Sequence, residues 1–432
     1  MYIAISSDIV HSGHLNVIEQ GARYGRVIVG LLTDEAIATY KRMPIIDYES
    51  RRRVFGSMRS VSEVVEQRTL SYAENLRRLR PDYVVHGDDW KSGIQAAVRS
   101  EVIAILGEYG GQLVEVPYTH GVSGTDLDEK LRPLLNTPDA RRGKLRQMLK
   151  LKPYVRVMEA SNGLSGLIVE NVRYEDPARM LVKEYDAMWV SSLCDSAFKG
   201  KPDIELVDFT SRINTINEIM EVTTKPIILD GDTGGRIEHF VYNVRTVERL
   251  GVSAIIIEDK TGLKQNSLYG TDAVQTLDDP EEFARKINAG KQAQVTRDFM
   301  IIARLESLIA GRGVEDALER ARIYVEAGAD AVMIHSKERS GTDIAAFLKR
   351  FRAAFPAVPA VLVPTSYNQF TEDELCGMGA RIIIHANHLL RSAYPAMLHT
   401  AQRILACGRS KEVDEEIMSI KDVLSLIPEE TL

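Results

Sequence analysis

Residues 226–234 read PIILDGDTG, and residues 253–260 read SAIIIEDK. Each is a short apolar run that ends in a polar cluster. Runs without apolar/polar alternation fit strands buried on both faces. The same form recurs as VRVMEAS (155–161), AMWVSSL (187–193), FMIIARLES (299–307), AVMIHSK (331–337), AVLVPTS (360–366) and RIIIHAN (381–387). Successive runs lie roughly 20 to 45 residues apart, which leaves room for a helix and its loops. Eight such units in a domain of about 250 residues predict a (β/α)8 barrel rather than an open doubly wound sheet.

Upstream the scale changes. YIAIS (2–6), VIVGLL (27–32), VSEVVE (61–66), DYVVHG (82–87) and LVEVPY (113–118) alternate with stretches of helical spacing. That alternation predicts a separate α/β domain with a parallel, Rossmann-like sheet. The stretch 135–150, LNTPDARRGKLRQMLK, is basic and carries Pro138 and Gly143, so it reads as a linker entering a helix. The expected organisation is a nucleotide-binding domain over 1–135, a linker over 136–150 and a barrel with a helical tail over 151–432.

The chain has 432 residues, 44% hydrophobic and 27% charged, with a net charge of −7. This is a soluble globular balance rather than a disordered or membrane one. It argues against a broad nucleic-acid footprint. No apolar run reaches the roughly 18 residues of a membrane span. MYIAISSDIV lacks a basic leader and reads as a first strand. The three cysteines, Cys194, Cys376 and Cys407, show neither metal-ligand nor disulfide spacing, which fits a cytoplasmic location.

Parallel barrels do their chemistry at the C-terminal ends of the strands. Those ends supply Glu159, Ser191, Ser192, Asp230, Asp232, Glu258, Asp259, Lys260, Arg304, Glu306, His335, Thr365, His385 and Asn387. Any one of them also reads as a turn former or helix cap. Repetition around a ring makes them a candidate site. Asp230 and Asp232 flank Gly231 at alternate positions, so both can address one hard cation, with Glu258 as a third oxygen donor. An all-carboxylate set favours Mg2+ or Mn2+ over Zn2+. Arg304 suits a phosphate or carboxylate, and equally a structural ion pair with Glu306 or Glu258. His335 alone reads as a core histidine.

The stretch EDKTGLKQNS (258–267) resembles the signature loop of the phosphoenolpyruvate mutases, within the isocitrate lyase/phosphoenolpyruvate mutase superfamily. MEASNGLSGLIVE, MWVSSL, ILDGDTG, ARLESLIAG, MIHSK, VPTSY and ANHLLR resemble the same family in the same order, over about residues 144 to 405. The resemblance implies a Mg2+-dependent rearrangement of phosphoenolpyruvate to phosphonopyruvate beneath a closing lid. It implies that Asp230, Asp232 and Glu258 hold the metal, largely through water. Ser191, Ser192 and Leu193 would cradle the substrate carboxylate, with Trp189 nearby. Arg304 and His335 would hold the phosphoryl group, and Lys264, Asn266 and Ser267 would arrive on the lid. The related C–C lyases resemble a pattern with a lid cysteine, and no cysteine lies between Cys194 and Cys376. Phosphonopyruvate hydrolases usually differ at the position of Asn266, which favours the mutase. Ser192 stands where the family often has Gly. The family also implies a dimer or tetramer.

In the first domain, His11 and His14 open a helix, where free backbone N–H groups favour a phosphate. DIVHSGHLNVIEQG, TDE (33–35), YESRR, VVHGDDW and GVSGTDL resemble, in order, the cytidylyltransferases of the HxGH nucleotidyltransferase superfamily. The resemblance covers about residues 1 to 132. It implies CTP as a substrate and, taken with the resemblance of the barrel, a small phosphonate such as 2-aminoethyl- or 2-hydroxyethylphosphonate as the acceptor. It places His11 and His14 at the reacting phosphate, Lys41, Ser123 and Thr125 near the phosphates, and Asp88 near the nucleotide. Ser6, Ser7 and Tyr118 depart from the family pattern.

Overall fold

Five strands, β1 (Tyr2–Ile5), β2 (Ile28–Leu32), β3 (Glu63–Gln67), β4 (Tyr83–Gly87) and β5 (Gln112–Val116), form one sheet in the order β3-β2-β1-β4-β5. All pairings are parallel. The computed structural model describes residues 1–6, 9–40, 43–117 and 137–427. Ser7, Lys41, Tyr118, Ser123 and Thr125 lie outside the described residues. Successive side chains of β1 enter opposite layers. Tyr2 packs with Leu76, Val84 and Trp90, whereas Ile3 and Ile5 pack with Val29, Leu31 and Phe55. The strand order reverses between β1 and β4, which is where open α/β sheets bind ligands.

The second domain is the expected barrel. β6 (Val155–Glu159), β9 (Ala187–Val190), β10 (Ile227–Asp230), β11 (Ala254–Glu258), β12 (Met300–Leu305), β13 (Ala331–Ile334), β14 (Ala360–Leu362) and β15 (Ala380–His385) close into an eight-stranded ring. The unbroken apolar runs are explained by burial on both faces. Ile228, Ile256, Ile302 and Met333 fill the interior, while Leu229, Ile255, Ile257 and Ile301 pack outward against helices.

Two smaller pieces join the domains. Thr137 caps the helix Pro138–Leu151, accepting from the Ala140 amide. This helix lies within the stretch read as a linker. Its fully buried Leu145 joins the interior barrel cluster. Arg141 and Arg142 donate to the carbonyls of Thr223 and Glu248, so the helix closes the N-terminal end of the barrel. The antiparallel hairpin of β7 (Arg173–Asp176) and β8 (Leu181–Glu184) inserts Val182 into the first domain's core. Among the described residues, no helix is long and apolar enough to cross a membrane.

Candidate active site

The strand ends and the lid converge on a cavity of about 60 Å3 at the C-terminal mouth of the barrel. Trp189, Ser191, Ser192, Leu193, Asp230, Lys264, Asn266, Ser267, Arg304 and His335 all line it. A larger cavity, about 790 Å3, lies between the domains at the other end, among Met43, Ile45, Met148, Tyr154 and Tyr185. We place the chemistry in the smaller one, because parallel barrels concentrate reactive groups at the C-terminal face.

Asp230 ends β10 and accepts from Ser192 twice, from N at 3.1 Å and from Oγ at 2.9 Å. Burial opposes its ionisation, but Lys264, Arg304 and Arg212 overcome that and hold its pKa at about 2. Gly231 is required here, since a Cβ would stand 2.9 Å from the Ile256 carbonyl oxygen. The chain then turns sharply. Asp232 adopts a left-handed backbone, φ +52°, a conformation that a short polar side chain tolerates. Simple strand alternation therefore does not describe this acidic pair. The Asp232 amide donates to Asp230 Oδ1 at 3.2 Å, and its carboxylate pairs with Arg212 and Lys264.

Glu258 ends β11 at 1% exposure. Burial first, then the neighbouring Glu306, push its pKa up to about 7 against the pull of Arg304, Lys264 and Lys260. Both of its oxygens are buried without a hydrogen-bond partner among the described residues. Among those residues, no three His, Cys, Asp or Glu side chains converge closely enough to grip an ion directly. The donor set fits a hydrated hard cation that meets few protein oxygens and keeps several waters. Unbonded Glu258 oxygens are acceptors for such waters.

Across the mouth, Arg304 Nη2 donates to Ser267 Oγ at 2.7 Å and lies 2.9 Å from His335 Nδ1. Glu306, fully buried, accepts from Arg304 Nε and lies 3.1 Å from His335 Nδ1. Burial and the Arg304 charge keep the His335 pKa below its ordinary value. The lid is closed over the cavity. Lys264 Nζ donates to Ser192 Oγ at 2.8 Å and to Asp203 Oδ1 at 2.9 Å. Asn266 Nδ2 donates to Asp203 Oδ2 at 2.7 Å.

Asp203 and Arg212 were invisible to strand-end reading. Asp203 lies after the helix Ser192–Phe198, and Arg212 lies on the helix Phe209–Val222. Charge at the mouth reveals them, since one anchors the lid and the other balances Asp232. Three strand-end residues go elsewhere, and Asp259 is one, accepting from Tyr324 and Arg320. Glu159 accepts from the Leu390 amide at 2.8 Å, and His385 pairs with Glu372 at 2.9 Å. Thr365 and Asn387 do line the cavity.

In the first domain, His11 caps the helix Ser12–Ala22. Its Nδ1 accepts from the Gly13 amide at 3.2 Å, and its own amide donates to His14 Nδ1 at 3.4 Å. The two imidazoles lie 3.8 Å apart. Each Nδ1 is turned to the backbone at the start of the helix. Burial lowers the His11 pKa. Asp88 follows β4 and donates its amide to the Val116 carbonyl at 3.0 Å. The histidines after β1 and Asp88 after β4 therefore flank the switch point of the sheet.

A family model described as Phosphoenolpyruvate phosphomutase matches residues 145–405. The chain belongs to the phosphoenolpyruvate phosphomutase family. A second model, Cytidylyltransferase-like, matches residues 6–134, so this mutase-family chain carries a cytidylyltransferase-like domain ahead of its barrel. It is similar to a phosphoenolpyruvate phosphomutase of Tetrahymena pyriformis, at 35% identity over 67% of this chain and 91% of the relative. It is also similar to a phosphonopyruvate hydrolase of Variovorax sp., at 38% identity over 57% of this chain and 85% of the relative. A solved phosphonopyruvate hydrolase in complex with oxalate and Mg2+ matches at 34% identity and a TM-score of 0.57, over 66% of this chain and 94% of that one. The chain is an enzyme, and both of its domains come from phosphoryl- or nucleotidyl-handling families.

Proposed function

We propose that the barrel rearranges phosphoenolpyruvate to phosphonopyruvate, and that the first domain transfers CMP from CTP to a small phosphonate. The observation that carries the first half is the sealed mouth. Asn266 and Lys264 close the lid onto Asp203, and Ser267 meets Arg304 beneath it. In the barrel, the P–O bond to the enol oxygen breaks and a P–C bond forms at C3. The loose, metaphosphate-like transition state is quickly hydrolysed if water enters.

Arg304 presents a planar fork of donors to the phosphoryl oxygens. His335, with Nδ1 facing Arg304 and Glu306, presents the other side of its ring to the same group. The Ser191–Leu193 turn, which lines the cavity, would meet the substrate carboxylate. Asn266 on the lid bears on the migrating group and excludes water. Asp230, with Asp232 and Glu258 acting through water, would hold Mg2+. When bound, the ion stabilises negative charge on the enolate oxygen. The Mg2+ in the oxalate complex of the related hydrolase supports this assignment.

In the first domain, a phosphonate oxygen attacks the α-phosphorus of CTP and pyrophosphate leaves. The adjacent imidazoles of His11 and His14 meet the charge that develops there. Lys41, Ser123, Thr125 and Asp88 complete the proposed CTP site. Candidate acceptors are 2-aminoethyl- and 2-hydroxyethylphosphonate. Pyrophosphate release from CTP across a panel of small phosphonates tests this half, and silence across the panel would refute it.

A second reading, phosphonopyruvate hydrolase, is favoured by the 38% identity to that relative. Phosphorus NMR on phosphonopyruvate separates the two, because a mutase yields phosphoenolpyruvate and a hydrolase yields inorganic phosphate.

We also infer a homo-oligomer, a dimer or tetramer. The 20-residue helix His388–Cys407 has no buried residue. It exposes Tyr394, Met397, Leu398 and Leu405. Such an apolar face seeks a partner, and a second copy supplies one. The free cysteines fit a cytoplasmic setting.

A further inference from the structure

The lid is an Ω-shaped loop whose ends are tied together. Lys260 and Leu277 form an antiparallel bridge, and the Thr261 amide donates to the Thr276 carbonyl at 2.9 Å. Asp259 fixes the base of the loop. It accepts from Tyr324 Oη at 2.8 Å, from Arg320 at 3.1 Å and from the Glu306 amide at 2.9 Å. Arg320 also donates to the Asp278 carbonyl at 3.0 Å. The loop thus stands on a fixed base, and something else must decide whether its tip is seated.

Lys260 is placed to do this. It is 3% exposed, and its ammonium donates to the Gln265 carbonyl at 2.9 Å, Ser267 Oγ at 2.9 Å and Gln275 Oε1 at 3.2 Å. An ammonium has three N–H donors. All three go to lid atoms. Two carboxylate oxygens stand just beyond, Glu258 Oε1 at 3.3 Å and Glu306 Oε2 at 3.7 Å. Both are buried without a hydrogen bond among the described residues. Leaving such oxygens unbonded is costly, so they stand ready for any donor that becomes available.

We propose that Lys260 is the latch of the lid, a positioning residue whose ammonium binds lid atoms when closed and Glu258 and Glu306 when open. Closing the lid withdraws its protons from Glu258. The Glu258 oxygens then face two cations, Lys260 Nζ and Arg304 Nη2, each at 3.3 Å, without a hydrogen bond among the described residues. The proposal rests on the barrel reading given above, and it links lid closure to the state of the carboxylates.

Hydrogen exchange across 261–276, followed by mass spectrometry on the full chain with and without oxalate and Mg2+, tests it. In the unsubstituted protein the added ligands slow exchange across the lid. In Lys260→Met the slowed exchange is lost, with rates about tenfold faster or more, the scale of one charge-assisted hydrogen bond. Lys260→Met removes one of the two cations beside the buried Glu258 and Glu306, so Gln275→Leu is the companion variant. It removes a lid acceptor and leaves no buried charge behind, and it speeds lid exchange in the same direction. A second readout is the share of consumed phosphonopyruvate that ends as inorganic phosphate. A loosened latch raises that share, whereas a merely structural defect lowers both products together. Folded variants whose lids stay as protected as the original overturn the proposal. An unsubstituted lid indifferent to oxalate and Mg2+ overturns the barrel reading beneath it instead.

Discussion

Arg304 Nη2 lies 2.9 Å from His335 Nδ1, and both side chains lean on the buried carboxylate of Glu306. The three form one unit at the ends of neighbouring strands, β12 and β13. Arg304 is therefore held in place before substrate arrives. Replacing it with Lys keeps the charge and loses the planar fork. Arg304→Lys is expected to lower kcat/KM on phosphonopyruvate by about 10²–10³, the scale for one preorganised donor. Phosphorus NMR rates check this, and a rate within a factor of about two of the original would remove Arg304 from the phosphoryl site.

The two domains carry separate chemistries, and His14 tests the division. His14→Ala is expected to reduce CTP-dependent pyrophosphate release by about 10²–10⁴, typical of a lost transition-state group. The barrel's turnover is expected to stay unchanged. A variant that still releases pyrophosphate at full rate would leave the first domain as a nucleotide-binding module. Both His11 and His14 belong to the capping box of the helix Ser12–Ala22, so either replacement also costs about 1 kcal/mol of cap, and a melting curve on each variant separates this from the loss of activity.

Much of this was legible in the sequence because parallel strands buried on both faces leave long apolar signatures. Each of the eight barrel runs overlaps an observed strand, from Val155–Glu159 to Ala380–His385. Residues at strand ends were legible for the same reason, since topology brings Ser191, Asp230, Arg304 and His335 to one mouth. Asp203 and Arg212 were not, because a loop and a helix flank reach the site only through tertiary packing. The turn at Asp232 was equally hidden, since its φ of +52° breaks the alternation that the spelling suggests.

Acid stability follows from Glu372. Burial opposes its ionisation, but hydrogen bonds from His385 and Arg156 pull its pKa from 4.5 to about 2. A depressed carboxylate contributes stability that is complete above its unfolded value and is lost as pH falls through the folded one. The contribution is therefore present above about pH 4.5 and disappears towards pH 2. Glu372→Gln is expected to flatten the dependence of denaturation midpoint on pH across that window. An unchanged slope would mean that Glu372 is not a source of acid sensitivity.

The exposed helix His388–Cys407 predicts assembly. Light scattering on the full chain is expected to show a dimer or tetramer. Leu405, 83% exposed, is expected to support the contact, so Leu405→Glu shifts the distribution towards monomer. The first turn of this helix is anchored to the barrel, where the Leu390 amide donates to Glu159 at 2.8 Å. A monomer at micromolar concentration in the unsubstituted protein would contradict the oligomer.

The central claim is that the closed mouth moves a phosphoryl group between oxygen and carbon without yielding it to water. The direct measurement is phosphorus NMR of phosphonopyruvate incubated with the full chain and Mg2+. The account predicts a growing phosphoenolpyruvate signal with little inorganic phosphate. Inorganic phosphate as the main product, with no phosphoenolpyruvate, would contradict it.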